Sequence, residues 1–193
     1  MVTLITDRTA ADVAKLAAVL AKHVDDWTAA DRMYFWNGEG GYGAILTAEG
    51  DELWTTTDAV HAYEGDGLIR GTYNATDLNR VTAAMDDLHG RLTAYGYRTG
   101  YAPFEAATGR RTWQEGDIPT REQMEAYLAN LRALRAVLDL PAGTPRVPAD
   151  AEELTYGEAN DIEHMLNKVD FQVVTMATTF VPAGEAVSGG DYL

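Results

Sequence analysis

The sequence predicts a mainly α-helical protein: a helical bundle with a coiled-coil-like body, a small β insertion at about residues 40–69 and an extended C-terminal arm. Three observations predict this class. Apolar residues recur at intervals of three and four in four stretches, capping residues stand directly before these stretches, and one stretch rich in glycine and aromatic residues interrupts them. With 193 residues, the chain is expected to form one structural unit.

Residues 1–36 are predicted to form the N-terminal helices. Thr9 with Asp12 fits a capping box, in which a side-chain oxygen and an acid three residues later each satisfy a free main-chain N–H. Thr28 with Asp31 marks a second start in the same way. The apolar stripe that follows Thr9 consists of Val13, Leu16, Ala17, Leu20 and Val24.

Residues 37–70 are predicted to form the β-rich insertion. The segments AILT, LWTTT and AVHAY are rich in β-branched and aromatic residues and surround the turns AEGDE and EGDG. The first glycines, residues 38–43, match the spacing of a dinucleotide-binding loop. That loop needs a strand before it and a helix after it, whereas here a helix precedes and strands follow. We therefore interpret these glycines as a joint.

Residues 71–140 are predicted to hold two long helices with a connecting loop. The first starts at Asn74 with Asp77 and ends at Gly96, and the second starts at Thr120 with Gln123. The segment 97–113 lacks helical periodicity and is interpreted as strand plus loop. The first stripe is Leu78, Val81, Met85, Leu88, Leu92 and Tyr95, and the second is Met124, Tyr127, Leu128, Leu131, Leu134 and Leu138.

Residues 141–193 are predicted to form a proline-rich linker, a C-terminal helix and an extended tail. The stretch LPAGTPRVPAD favours a stiff extended connector, because proline fixes its own backbone and restricts the residue before it. Thr155 with Glu158 starts the helix, and the segment after Phe180 is polar and glycine-rich. The stripe of this helix is Ala159, Ile162, Leu166, Val169, Val173, Met176 and Phe180.

Composition excludes several classes of function. The absence of cysteine excludes disulfides, thiolate catalysis and zinc–cysteine sites. The net charge of −15 disfavours binding to nucleic acid and to anionic membranes. We expect neither a membrane-spanning helix nor a signal peptide, since the sequence has no sufficiently long apolar run and no basic leader before an apolar core.

Candidate chemistry is sparse. Asp86 with His89 and Asp161 with His164 each place a carboxylate three residues from an imidazole, a spacing related to the ligands of di-iron bundles. Their positions beside or away from the apolar stripes instead favour solvated surface residues. No nucleophile with a matching base is evident, so no catalytic residue, metal or cofactor is predicted and the chain is expected not to be an enzyme.

Four stretches together resemble a family of tail-associated structural proteins from phages and prophages of Gram-positive bacteria. They are LITDRTAADVAKL, GTYNATDLNRVTAAMDDLHGRLTAYGY, WxxxDIPTxxQMxxYLANL and LTYGEANDIEHMLNKVD, in that order, and the ending GEAVSGGDYL is similar to the family's tail. The resemblance covers residues 4 to about 31 and 70 to the end. The insertion at about residues 34–69 and a plainer C-terminal tail depart from the family pattern.

The resemblance implies a non-enzymatic virion protein of the tail tip or baseplate, or a tail adaptor, assembled in the host cytoplasm as a homo-oligomer. Its expected partners are copies of itself, other tail proteins and a host-surface receptor. The alternative is a carbohydrate- or protein-binding module that uses the aromatic insertion, since exposed aromatic residues suit sugars and protein hot spots alike. The candidate contact residues are Tyr42, Trp54, Tyr63, Phe180 and Tyr192.

Overall fold

The structure is a computed structural model in which four α-helices account for most of the described chain. It describes residues 3–28, 71, 73, 75–103, 105, 112–113, 117–151 and 154–179. The helices are α1 (Ala10–Leu20), α2 (Ala75–Ala94), α3 (Arg121–Arg135) and α4 (Tyr156–Thr179), with a short 3₁₀ helix at Val24–Asp26. The described residues contain no β-strand. The predicted mainly helical class is thus confirmed.

Three predicted capping boxes start helices as expected. The hydroxyl of Thr9 accepts from the main-chain N–H of Asp12, whose carboxylate accepts from the N–H of Thr9. Thr120 with Gln123 repeats this reciprocal pair before α3, and Thr155 with Glu158 repeats it before α4. Glu158 also shows the effect in its titration, because the hydrogen bond from the main chain of Thr155 lowers the pKa of its carboxyl. Asn74 and Asp31 lie outside the described residues.

The apolar stripes of α2, α3 and α4 meet in one core within a single chain. Their central members are fully or almost fully buried, which confirms the helical bundle predicted from the spacing. Tyr101 and Trp113, from the segment after α2, complete the same core. The buried stripe residues are Leu78, Val81, Met85, Leu88 and Leu92 on α2, Tyr127, Leu128, Leu131 and Leu134 on α3, and Ile162, Leu166, Val169 and Val173 on α4.

Two parts of the predicted stripes are wrong. Leu16 and Val19 are the buried residues of α1, whereas Val13 and Leu20 are exposed by 39% and 48%. Apolar spacing shared by two neighbouring faces of a short helix does not reveal which face is covered. Tyr95 is also exposed, by 49%, because α2 ends at Ala94 and the chain turns at Gly96 with a φ of 84°. That turn is the C-terminal cap predicted for Gly96.

The helices α2 and α4 run in the same direction. In three contacts, residues later in α2 or directly after it meet residues later in α4. These contacts are Arg80 with Glu163, Arg91 with Asp170, and Tyr97, just after α2, with Met176. The proline-rich stretch that was predicted as a stiff extended connector contains no helix or strand over residues 141–151, and it runs back along α3 before α4 begins. Arg135 donates to the carbonyls of Thr144 and Pro145, and Arg132, one turn earlier, donates to those of Pro148 and Ala149.

Each of the three long helices uses one asparagine to bind both main-chain groups of a residue in a non-helical segment. The described part of the segment predicted as strand plus loop contains no strand. There the main chain of Ala102 pairs with the amide of Asn130. Its Oδ1 accepts from the N–H of Ala102 at 3.0 Å and its Nδ2 donates to the carbonyl at 2.7 Å. Asn79 does the same with Trp113, and Asn160 with Arg8.

Two predicted parts, the β insertion at about residues 40–69 and the extended C-terminal arm, lie outside the described residues. Among the helices that the structure describes, none combines the length and the apolar character needed to cross a membrane.

We expect Asn130→Asp to lower the free energy of unfolding by about 1–3 kcal/mol, because a carboxylate cannot donate to the carbonyl of Ala102 and Asn130 is only 3% exposed. Urea unfolding measures the change. The matched control is Asn167→Asp, at a half-buried position of α4, for which we expect less than about 0.5 kcal/mol. Equal losses in the two variants would contradict a structural role for the Asn130 amide.

Candidate functional site

The five residues predicted as partner contacts lie outside the described residues. They are Tyr42, Trp54, Tyr63, Phe180 and Tyr192. The candidate sites that can be built from coordinates are therefore in the helical body, where charged and aromatic side chains meet.

The two carboxylate–histidine pairs do not form a metal site. Asp161 and His164 are both exposed on α4. Asp86 accepts a hydrogen bond from the Tyr101 hydroxyl, while His89 places Nδ1 2.6 Å from the Thr99 hydroxyl and stacks on the Tyr101 ring at 4.8 Å. Burial, followed by the hydrogen bond to Asp86, raises the pKa of Tyr101. In the described part of the chain, no three His, Asp or Glu side chains are grouped to hold a metal ion.

Four charged side chains form a network in the interior, which we call the buried ion network: Arg8, Asp77, Arg80 and Glu163. Their side chains are exposed by only 1%, 4%, 10% and 0%. Two positive and two negative charges sum to zero within the network. This balance matters because an isolated charge in an apolar interior costs several kcal/mol.

Glu163 is the centre of the buried ion network. Its Oε1 accepts from Nη2 of Arg8 at 2.6 Å and from Nη2 of Arg80 at 2.7 Å. Its Oε2 accepts from the main-chain N–H of Ile5 at 2.6 Å and from Nε of Arg80 at 3.1 Å. Four donors therefore satisfy both oxygens of this carboxylate.

Asp77 is the second carboxylate of the network and contacts the same two arginines as Glu163. It accepts from Nη2 of Arg8 at 2.7 Å and also pairs with Arg80, which stands three residues later on α2. Burial works against the charge of Arg80, but the hydrogen bond to Glu163 and the two negative charges outweigh it, so its pKa is raised. Nη1 of Arg8 donates to the carbonyl of Ile5 at 2.9 Å. Among the described residues, Nε of Arg8 is buried without a hydrogen-bond partner.

A pair of tyrosines lies against the buried ion network. The hydroxyls of Tyr73 and Tyr127 are 2.5 Å apart, and the guanidinium carbon of Arg8 is 5.6 Å from the centre of the Tyr73 ring, within cation–π range. Burial, together with the negative charges of Glu163 and Asp77, raises the pKa of both phenols. Both therefore remain protonated and neutral at physiological pH.

A cavity of about 620 Å³ lies beside this pair, between α3 and the connector. Polar and apolar side chains both line the cavity. Of the arginines in its walls, Arg132 donates to main-chain carbonyls of the connector and Arg121 pairs with Glu125 at 3.1 Å. The charged groups thus provide no obvious site for a charged ligand.

The buried ion network ties separate parts of the chain together. Both oxygens of Glu163 accept hydrogen bonds from arginine side chains, and Oδ1 of Asp77 accepts from Arg8 and pairs with Arg80. We interpret the network as a structural device that joins the N-terminal segment to α2 and α4.

Sequence reasoning missed Arg8, Arg80 and Glu163 and interpreted Asp77 only as a capping residue. The signal available was Asp77 followed by Arg80, three residues apart on one face of a predicted helix. Glu163, directly after the stripe residue Ile162, gave a second hint that a charge flanks the core. The pairing of Arg8 with Glu163 spans 155 residues and is visible only in the fold.

We expect Glu163→Gln to lower the free energy of unfolding by about 3–5 kcal/mol, because it leaves one uncompensated positive charge buried with Arg8, Arg80 and Asp77. Thermal and urea unfolding measure the loss. The matched control is Glu125→Gln, which breaks the exposed pair with Arg121 and should cost less than about 0.5 kcal/mol. A loss below about 1 kcal/mol for Glu163→Gln would show that the network does not hold the fold together.

We also expect stability to fall in alkali. A phenol whose pKa is raised by folding keeps its proton longer in the folded state, so its contribution is complete below pH about 10 and is lost above it, by about 1.4 kcal/mol per pH unit. Urea unfolding between pH 9 and about 11.5 measures the fall. The Tyr73→Phe/Tyr127→Phe double variant should fall less steeply, while Tyr95→Phe, at an exposed position, should match the parent. Parallel curves for all three proteins would contradict this assignment.

Comparison with known proteins returned no relative: no family model, no curated protein and no solved structure matches this chain.

Proposed function

We propose that this chain is a non-enzymatic structural protein of a bacteriophage tail, at the tail tip or baseplate or as an adaptor, that works as a homo-oligomer. The proposal begins from the resemblance of four stretches to tail-associated proteins. It assigns the protein to the virion, after assembly in the cytoplasm of a bacterial host.

One observation carries the proposal: charged residues from three of these four stretches bind one another inside the fold. Residues 4–16 contribute Arg8, residues 71–97 contribute Asp77 and Arg80, and residues 154–170 contribute Glu163. The three asparagines that hold non-helical segments also belong to these stretches. Residues behind the resemblance thus help to maintain the fold, which supports the proposal of a structural role.

Surface properties are consistent with assembly. Phe171 and Val174 lie one turn apart on α4 and are exposed by 63% and 46%, which gives the body an apolar patch available for another subunit. The charge of −15 disfavours DNA as a partner and leaves proteins as the preferred class. The proposal assigns further contacts to Tyr42, Trp54, Tyr63, Phe180 and Tyr192, so a neighbouring tail protein or a host receptor would meet aromatic residues.

The decisive experiment is immunogold labelling of particles released from an induced culture of the bacterium that carries this gene. We expect gold at the distal end of the tail, because the resemblance points to the tip or baseplate. Particles from a strain lacking the gene are the control and should remain unlabelled. Intact unlabelled particles from the parent strain, with the protein detected in the same lysate, would overturn the virion role and favour the binding-module alternative.

A further inference from the structure

The N-terminal segment is bound as an extended peptide by side chains that lie far from it in the sequence. Glu163 accepts from the main-chain N–H of Ile5 at 2.6 Å. Asn160 accepts from the N–H of Arg8 at 3.0 Å and donates to its carbonyl at 2.8 Å. Main-chain recognition of this kind resembles the way proteins bind separate peptides, in which main-chain hydrogen bonds supply affinity.

The same surface selects arginine at the end of this segment. The guanidinium of Arg8 donates to the carboxylates of Asp77 and Glu163, and it lies against the ring of Tyr73. Lysine cannot reproduce this planar, forked set of donors. We call the surface formed by Tyr73, Asp77, Asn160 and Glu163 the peptide groove.

The peptide groove requires an occupant. Without the N-terminal segment, Asp77 and Glu163 would face Arg80 alone, which leaves one negative charge uncompensated. Two carboxylates that share one arginine repel each other. A copy whose own segment is displaced therefore favours any other segment that brings a guanidinium and the same main-chain geometry.

We propose that the peptide groove accepts residues 4–8 of a second copy in exchange for its own, so that neighbouring copies are linked through their N-terminal segments. The inference rests on the homo-oligomeric assembly in the proposed function. Exchange of identical elements preserves every contact and is a low-cost route to oligomers. The N-terminal segment is linked to α2 through residues 29–74, so no short connection fixes it to its own bundle.

Mixing two full-length variants tests the proposal. Arg8→Glu has an intact groove but a segment that does not fit, and Asn160→Ala has an intact segment but a weakened groove. We expect the mixture to form heteromers by native mass spectrometry and to raise the melting temperature of the Arg8→Glu copy, whereas each variant alone should form fewer oligomers. In the control mixture, the second variant carries both changes, Asn160→Ala and Arg8→Glu, so that no chain has a segment that fits the groove. Heteromer formation should then be about 10–100-fold lower. A mixture that behaves as the sum of its components overturns the proposal.

A second measurement does not depend on the folding of these variants. Leu4, which packs against the core, is replaced by p-benzoylphenylalanine in both ¹⁴N- and ¹⁵N-labelled chains, which are refolded together and irradiated. Exchange gives cross-linked peptides that join residue 4 of one label to α4 of the other, whereas cross-links confined to one label overturn it. If gold labels the tails but no mixed cross-links form, the exchange alone is contradicted. If mixed cross-links form but the tails remain unlabelled, only the virion role is contradicted.

Discussion

The arrangement of the described helices is tied to one buried carboxylate, that of Glu163, at the centre of the buried ion network. Its four donors come from the N-terminal segment and from α2, so the carboxylate is satisfied only when α4 and these two parts of the chain are in register. Apolar stripes tolerate some sliding and rotation, because a methyl group packs acceptably in several positions. A buried charge with specific hydrogen-bond donors does not tolerate such movement. The buried ion network therefore adds specificity to a core whose stability comes from apolar burial.

The asparagines solve a second problem, which follows from helix direction. Because α2 and α4 run in the same direction, the chain must return along the bundle before α4 begins, and the connector along α3 is part of that return. Extended returns carry main-chain groups that need partners when they are buried. Asn79, Asn130 and Asn160 each supply one donor and one acceptor to a single residue, as a neighbouring strand would. The described body thus has strand-like pairing without a strand.

Local sequence patterns predicted much of the helical body, but they did not predict the pairing of charged residues that lie far apart in the sequence. The stripes of α2, α3 and α4 and the caps at Thr9, Thr120 and Thr155 depend on spacing over a few residues, so they are visible in the sequence. The stripe of α1 was misplaced, since Val13 and Leu20 fit the spacing but lie on an exposed face. The buried ion network joins residues up to 155 positions apart, and no local pattern distinguishes Arg8 from a surface arginine. None of the predicted contact residues could be tested, because all lie outside the described residues.

The balance between closed and exchanged segments follows from the same contacts. A segment attached to its own groove is present at a high effective concentration, so a dilute chain keeps its own residues 4–8. Exchange leaves the contacts in the groove unchanged, and the free energy that favours it must therefore come from elsewhere in the interface. The exposed apolar residues Phe171 and Val174 are one described source of such energy. Under the proposed exchange, a chain would fold first as a closed unit and would exchange its segment only when a second surface brings copies together.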